Sequence, residues 1–203
     1  ITVTCEEVLG LIDIILPLLK IGAIINFKGV KKDGKEINIR RVNEYGIDTY
    51  LMNKQFKPVM NPIHLSDDNG TMRADISFTY DANGLDEQDT VYSFANMCPT
   101  ISAGSTHAQA FVDALSNYFR NYMNKIYLGN KSKITTINSD IRAGLKAVVS
   151  VMHLEPIFAG QAKELLSNED IKPFIKDLVD RELDEWSRSN ANDLQRLCKY
   201  FKD

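Results

Sequence analysis

Few residues in this 203-residue chain have the types and spacing that chemistry needs. His64, His107 and His153 stand in three separate segments. A lone histidine is more often structural than a base or a metal ligand. Asp140 and Arg142 form a possible working pair, but an acid beside Asn138 and Ser139 reads first as part of a helix cap next to a surface arginine. Cys5, Cys98 and Cys198 are odd in number, far apart and without CxxC spacing. That argues against a zinc site or a disulfide framework and favours a reducing, cytoplasmic compartment. The chain has no Walker A loop, no GxGxxG after a strand, no HExxH and no GxSxG. There remain Gln161 and Lys163, two positions apart in 158-FAGQAKELL-166. By composition alone they are ordinary solvent-facing loop residues.

Charge gives a second, weaker lead. The net charge of −3 is unlike that of an autonomous nucleic-acid binder. Its distribution is uneven. Lys20–Arg41 holds seven basic residues against two acidic, Arg120–Lys146 six against one, and Leu65–Thr90 one against seven. Solvated loops and strand faces explain such clusters. The functional alternative is a mildly basic surface meeting a phosphate backbone, with Lys125, Lys131, Lys133 and Arg142 as its candidates.

The elements that must position these residues can be read from patterning. Thr4 and Glu7 make a capping box, and Val8, Leu11, Ile12 and Ile15 give the helix behind it an apolar stripe that Gly22 closes. Two strand-like runs, 23–30 and 36–42, flank the Asp-Gly turn of 31-KKDGK-35, a strong hairpin signal. A short helix is expected near 46–54, then a loop punctuated by Pro58 and Pro62. The alternation of Ala74, Ile76, Phe78 and Tyr80 predicts a half-buried strand, which the turn 82–88 returns into a second strand at 90–97 as a long hairpin with an acidic tip. Ala108, Phe111, Leu115, Phe119, Tyr122 and Ile126 predict the longest helix, capped at Ser105 or Thr106. A short helix from Asn138 leads into 145-LKAVVSVMHL-154, whose β-branched apolar run predicts a central, buried strand. Two helices close the chain, 169–186 and 191–201. Antiparallel pairs and helices of comparable weight give an α+β class. The 44% hydrophobic and 25% charged content suits a globular core without staples. The longest apolar run, 14–25, carries Lys20 and is broken by Pro17 and Gly22, so no membrane contact is expected.

Four motifs in order carry a resemblance: 93-SFAN-96, 104-GSTH-107, 140-DIRAGLKAVVSV-151 and 158-FAGQAKELL-166. Their succession resembles the transducer domain of type IIA DNA topoisomerases, including the gyrase and topoisomerase IV B subunits and their phage relatives. There the pattern runs Phe-x-Asn, Gly-Gly-Thr-His, Asp-x-Arg-x-Gly-Leu-x-Ala-Val-Val-Ser-Val and Phe-x-x-Gln-Thr-Lys. This chain departs at Ser105, which replaces a glycine, at Ala162, which replaces the threonine, and in a loop between Asn96 and Gly104 that is one residue longer. The resemblance implies a fold like the second domain of ribosomal protein S5, with a sheet backed by helices and a left-handed βαβ crossover, an exception to the usual hand. It divides the chain into residues 1–22, leaving a GHKL-type ATPase domain, 23–168, the transducer, and 169–203, helices leading to the cleavage core.

The same resemblance implies the chemistry. Lys163 would touch the terminal phosphate of ATP, with Gln161 beside it, completing a magnesium-nucleotide site on the upstream domain. A lysine is a compact point charge on a flexible stem, suited to charge growing on phosphoryl oxygens. The parent would be a homodimer acting with a cleavage subunit to pass one DNA duplex through another. The upstream ATPase motifs are missing and the chain lacks an initiator Met, so an excised piece without ATP turnover of its own is expected. The alternatives are a MutL-like mismatch-repair ATPase and a non-enzymatic S5-like nucleic-acid-binding module.

Overall fold

The computed structural model describes residues 3–52, 56–84, 90–127 and 138–202, with backbone alone at 126–127 and 138–139. The chain forms two compact units, Ile1–Lys54 and Gln55–Asp203.

In the first unit, helix α1 (Cys5–Ile15) starts at the expected capping box: the Glu7 amide donates to Thr4 Oγ1 and the Glu7 carboxylate accepts from the Thr4 amide. It ends earlier than Gly22. Pro17, which lacks a donor and clashes with the preceding turn, converts Leu16–Leu18 to a 3-10 turn. Strands β1 (Ile24–Val30) and β2 (Glu36–Val42) pair antiparallel. Lys31 closes on Lys35 at 2.9 Å, with Gly34 at φ +81, the left-handed residue of a three-residue hairpin loop. A 3-10 turn, Gly46–Asp48, leads into helix α2 (Thr49–Met52).

The second unit holds strands β3 (Ile63–Asp68), β4 (Met72–Tyr80), β5 (Thr90–Ala95), β6 (Cys98–Thr100) and β7 (Leu145–His153). Helices α3 (Thr106–Tyr127), α4 (Asn138–Arg142), α5 (Ile171–Ser189) and α6 (Ala191–Tyr200) complete it. The sheet order is β3-β4-β7-β5-β6. This corrects one expectation. β4 and β5 are not a hairpin, because β7 lies between them, antiparallel to β4 and parallel to β5. β4 turns back instead through Asp68–Thr71 onto β3, and β5 turns onto β6. The acidic tip expected at 82–88 falls partly outside the described residues. β7 is the central strand that its apolar run predicts.

One sheet face is built from Ala74, Ile76, Phe78 and Tyr80 of β4 and Leu145, Ala147, Val149 and Val151 of β7, all fully buried. Phe111, Leu115, Phe119 and Met123 of α3 and Ile175, Leu178 and Leu183 of α5 join the same core. Burying each such side chain contributes about 1.5–3 kcal/mol. The end of α6 seals the sheet with aromatics: Phe201 lies 5.1 Å from Tyr80 and 5.2 Å from Phe119, centroid to centroid. No helix among the described residues is long and apolar enough to cross a membrane.

Candidate functional site

β7 ends at His153, and the chain then makes a pin before α5. Its rungs are Ser167 N to Ile157 O at 2.8 Å, the Phe158–Leu166 bridge, and Ala159 N to Leu165 O at 2.9 Å. Gly160, at φ +90, turns the tip, and Lys163 N reaches back to Gly160 O at 3.4 Å. Gln161, Ala162, Lys163 and Glu164 are all exposed there. Lys163 itself sits at φ +55, a left-handed conformation that glycine or asparagine adopts more easily. Its ammonium lies 5.9 Å from the centre of the Phe158 ring, a cation–π contact that steadies the stem.

The pin is fixed from both legs. At its base the buried Asn168 accepts from Ile157 N at 2.7 Å and donates to Glu155 O at 3.1 Å. On the return leg the Leu166 carbonyl accepts from both Thr106 N, at 2.9 Å, and Thr106 Oγ1, at 2.8 Å. Leu166 N donates to Ser105 Oγ at 3.4 Å. Ile101 N adds a bond to Glu164 O at 2.7 Å. A side chain on Gly104 would meet Leu165 at 3.2 Å, and its φ of +134 favours glycine in any case. The motif at residues 104–107 is therefore spatially joined to the motif at 158–166. Ser105 does open α3, its carbonyl accepting from Gln109 N, while its hydroxyl faces the pin.

His107 is buried against this junction. Nε2 lies 3.4 Å from Thr100 Oγ1, Nδ1 has no partner among the described residues, and burial pushes the imidazole down to about 4. It is a neutral, structural histidine, as a lone histidine is expected to be. His153 is also structural. Its Nδ1 accepts from Glu155 N, so Nε2 carries the proton toward Asp170 at 3.0 Å, and that bond lowers the Asp170 carboxyl. Asn96 links the first motif to the strand: its side chain accepts from His153 N and donates to His153 O, both at 2.9 Å. With Met97 it forms a two-residue turn whose two positive φ values match type I′.

The structure thus brings Gln161 and Lys163 to one tip. Lys125 is exposed in the last turn of α3, and Arg142 ends α4, which packs on α3. Lys131 and Lys133 lie outside the described residues. Among the described residues no group of three or more acids, histidines or cysteines can hold a metal. The tip offers one cation and one amide, donors that fit phosphate oxygens, beside the exposed Glu164 carboxylate. Two clefts, of about 440 and 380 Å³, are lined by other residues. Sequence reasoning misses Asn168, whose signal, an asparagine flanking a loop, is too common to stand out.

The five-stranded sheet backed by helices has the fold of the type IIA DNA topoisomerase B subunits. A sequence model described as DNA gyrase B matches residues 38–203, and the chain belongs to that family. The gyrase B protein of Cytophaga hutchinsonii is 29% identical over 150 residues, covering 74% of this chain and 30% of that protein. Its counterpart from Spiroplasma citri is 25% identical over 191 residues, covering 91% and 29%. The topoisomerase IV ATP-binding domain of Francisella tularensis, solved with a small-molecule inhibitor, matches with a TM-score of 0.81 at 25% identity, over 100% of this chain and 53% of that one. The 43K ATPase domain of Thermus thermophilus gyrase B has the same fold, with a TM-score of 0.81 at 20% identity, over 99% of this chain and 53% of that one. The chain spans less than a third of the length of these two curated relatives. The matches do not favour the mismatch-repair or ribosomal-type alternatives.

Proposed function

We propose that this chain is the coupling part of an ATP-dependent type IIA topoisomerase, joining nucleotide binding to DNA strand passage. Residues 1–22 leave the ATPase domain, 23–168 form the transducer, and 169–203 lead toward the cleavage subunit. The observation that carries the reading is the pin: a lysine in a left-handed conformation, exposed at a tip whose two legs are hydrogen-bonded in place. Strain of this kind persists where the surroundings over-determine it and clusters at functional sites.

Lys163 supplies its ammonium to the terminal phosphate of ATP, and Gln161 supplies an amide beside it. When bound, the magnesium nucleotide supplies the phosphoryl group whose transfer to water is the chemistry. Lys163 neutralises charge on the phosphoryl oxygens. Because the lysine comes from outside the ATPase domain, its contact favours one domain arrangement, and loss of the phosphate releases it. The chain alone, with two donors at the tip, does not turn ATP over. In the cytoplasmic, homodimeric parent, Lys125, Lys131, Lys133 and Arg142 are the candidates to contact the transported duplex.

Lys163→Ala in the full-length protein, assembled with its cleavage partner, tests this. The expected loss of DNA-stimulated ATP turnover is about 100-fold, the order for removing one preorganised donor, with DNA binding retained. Unchanged turnover refutes the role of Lys163.

A further inference from the structure

The hydrogen bonds on Leu166 have a use beyond packing. Leu166 is fully buried, three residues from Lys163, and its carbonyl takes two donors from Thr106 while its amide is held by Ser105. Ser105 is itself fully buried. Glu164, next to the lysine, is bonded through its carbonyl to Ile101 N. These contacts fix the register of the return leg, and so the height and direction from which the lysine stem leaves. Beyond the Ala159 N to Leu165 O rung and the Phe158 ring beside the Lys163 ammonium, the tip itself is loosely held: residues 160–164 are exposed, and the Lys163 N to Gly160 O bond is long at 3.4 Å. A flexible four-carbon stem positions its charge only as well as its backbone is positioned.

We infer that Thr106 and Ser105 are positioning residues for Lys163, acting through Leu166 to hold the phosphate-contacting lysine at one height. The inference rests on the role proposed for Lys163, but its first consequence needs no nucleotide. Thr106 Oγ1 is the donor that can be removed without changing shape, because valine is its isostere and the Thr106 N bond to Leu166 survives. Thr106→Ser keeps the hydroxyl and serves as the conservative control. Ser105→Ala removes the acceptor for Leu166 N while leaving the helix carbonyl of residue 105 in place.

Two measurements separate the possibilities. The first is trypsin cleavage after Lys163 in the nucleotide-free chain, which requires the pin to open locally. Thr106→Val is expected to speed cleavage at this bond about five-fold, the order for loss of one neutral hydrogen bond, with Thr106→Ser near wild type. Ser105→Ala is expected to speed it less, its bond being longer. The second is ATP turnover in the full-length enzyme, in a cycle with Lys163→Ala. Thr106→Val is expected to lower kcat several-fold when Lys163 is present and to cost nothing further in the Lys163→Ala background. Thr106→Val equal to wild type in both measurements overturns the inference. An equal kcat loss with and without Lys163 also overturns it, because the residue would then be merely structural. If Lys163→Ala alone leaves turnover unchanged, the proposed function fails, while faster cleavage in Thr106→Val would still establish the clamp.

Discussion

Gly144→Ala is the substitution whose cost the structure defines most fully. Gly144 joins α4 to β7 at φ +68, where a side chain costs about 1 kcal/mol. A Cβ there would stand 2.2 Å from the Tyr200 hydroxyl, 3.0 Å from Asp81 O and 3.1 Å from Gly84 O. Two of these contacts are backbone, so the tyrosine must move. That breaks the single donation its hydroxyl shares between Asp81 O, at 2.8 Å, and Ala143 O, at 3.3 Å, which contributes about 1 kcal/mol. The sum is about 2 kcal/mol, a fall of about 6 °C in Tm for a chain of this length. Trp186, the only tryptophan, is on α5 in the same unit, so its fluorescence through a urea titration reports the loss. Tyr200→Phe alone is expected to cost about 1 kcal/mol, since Asp81 O keeps its bond from Gly84 N. With the hydroxyl gone, Gly144→Ala is expected to cost only the backbone part, a coupling of about 1 kcal/mol. Strict additivity, or a Gly144→Ala loss below about 1 kcal/mol, refutes the reasoning.

Three other outcomes can be checked, the first two with the same assay. His107 is held neutral, with its folded value near 4 below the unfolded 6.5. The unfolded chain therefore takes up the proton first, and stability is level above about pH 6.5, falls between pH 6.5 and 4, and loses about 3 kcal/mol across that window. In His107→Leu this part of the pH dependence disappears, and an unaltered slope would refute the assignment. Asn96→Ala, which removes both bonds to the His153 backbone and places alanine at φ +48, is expected to cost about 2–3 kcal/mol. Asn96→Gly keeps the turn and is expected to cost less; the reverse order would count against the type I′ reading. Thr4→Ala, measured by far-ultraviolet circular dichroism, is expected to destabilise α1 by about 1 kcal/mol through loss of the cap.

Some of this is legible in the residues alone and some is not. The capping box at Thr4, the β-branched run of β7 and the three- and four-residue spacing of α3 are local signals, and local signals suffice for those elements. β3 escapes them because Ile63 and Leu65 give only a short alternation behind Pro58 and Pro62. β4 and β5 look like a hairpin because nothing local in either strand tells that a segment more than fifty residues later inserts between them. For the site, the motif is enough to name the tip residues. It does not name the bonds that hold them, because most end on backbone: Leu166 O, Leu166 N and Glu164 O look the same in every sequence. Lys163's left-handed backbone likewise has no signature in its residue type.

β7 has neighbours on both sides and something fastened near each end. At one end, Gly144 receives Tyr200 from the end of α6; at the other, Asn96 pairs with His153, where the chain leaves for the pin. Nine residues of strand span about 30 Å. A pull between the terminal helix and the lysine loop would load this strand as well as the covalent route through α5. It would strain the ladders to β4 and β5 together, in shear, instead of peeling rungs off one at a time. On the role proposed for Lys163, the strand would serve as a stiff tie between the lysine loop and the terminal helix.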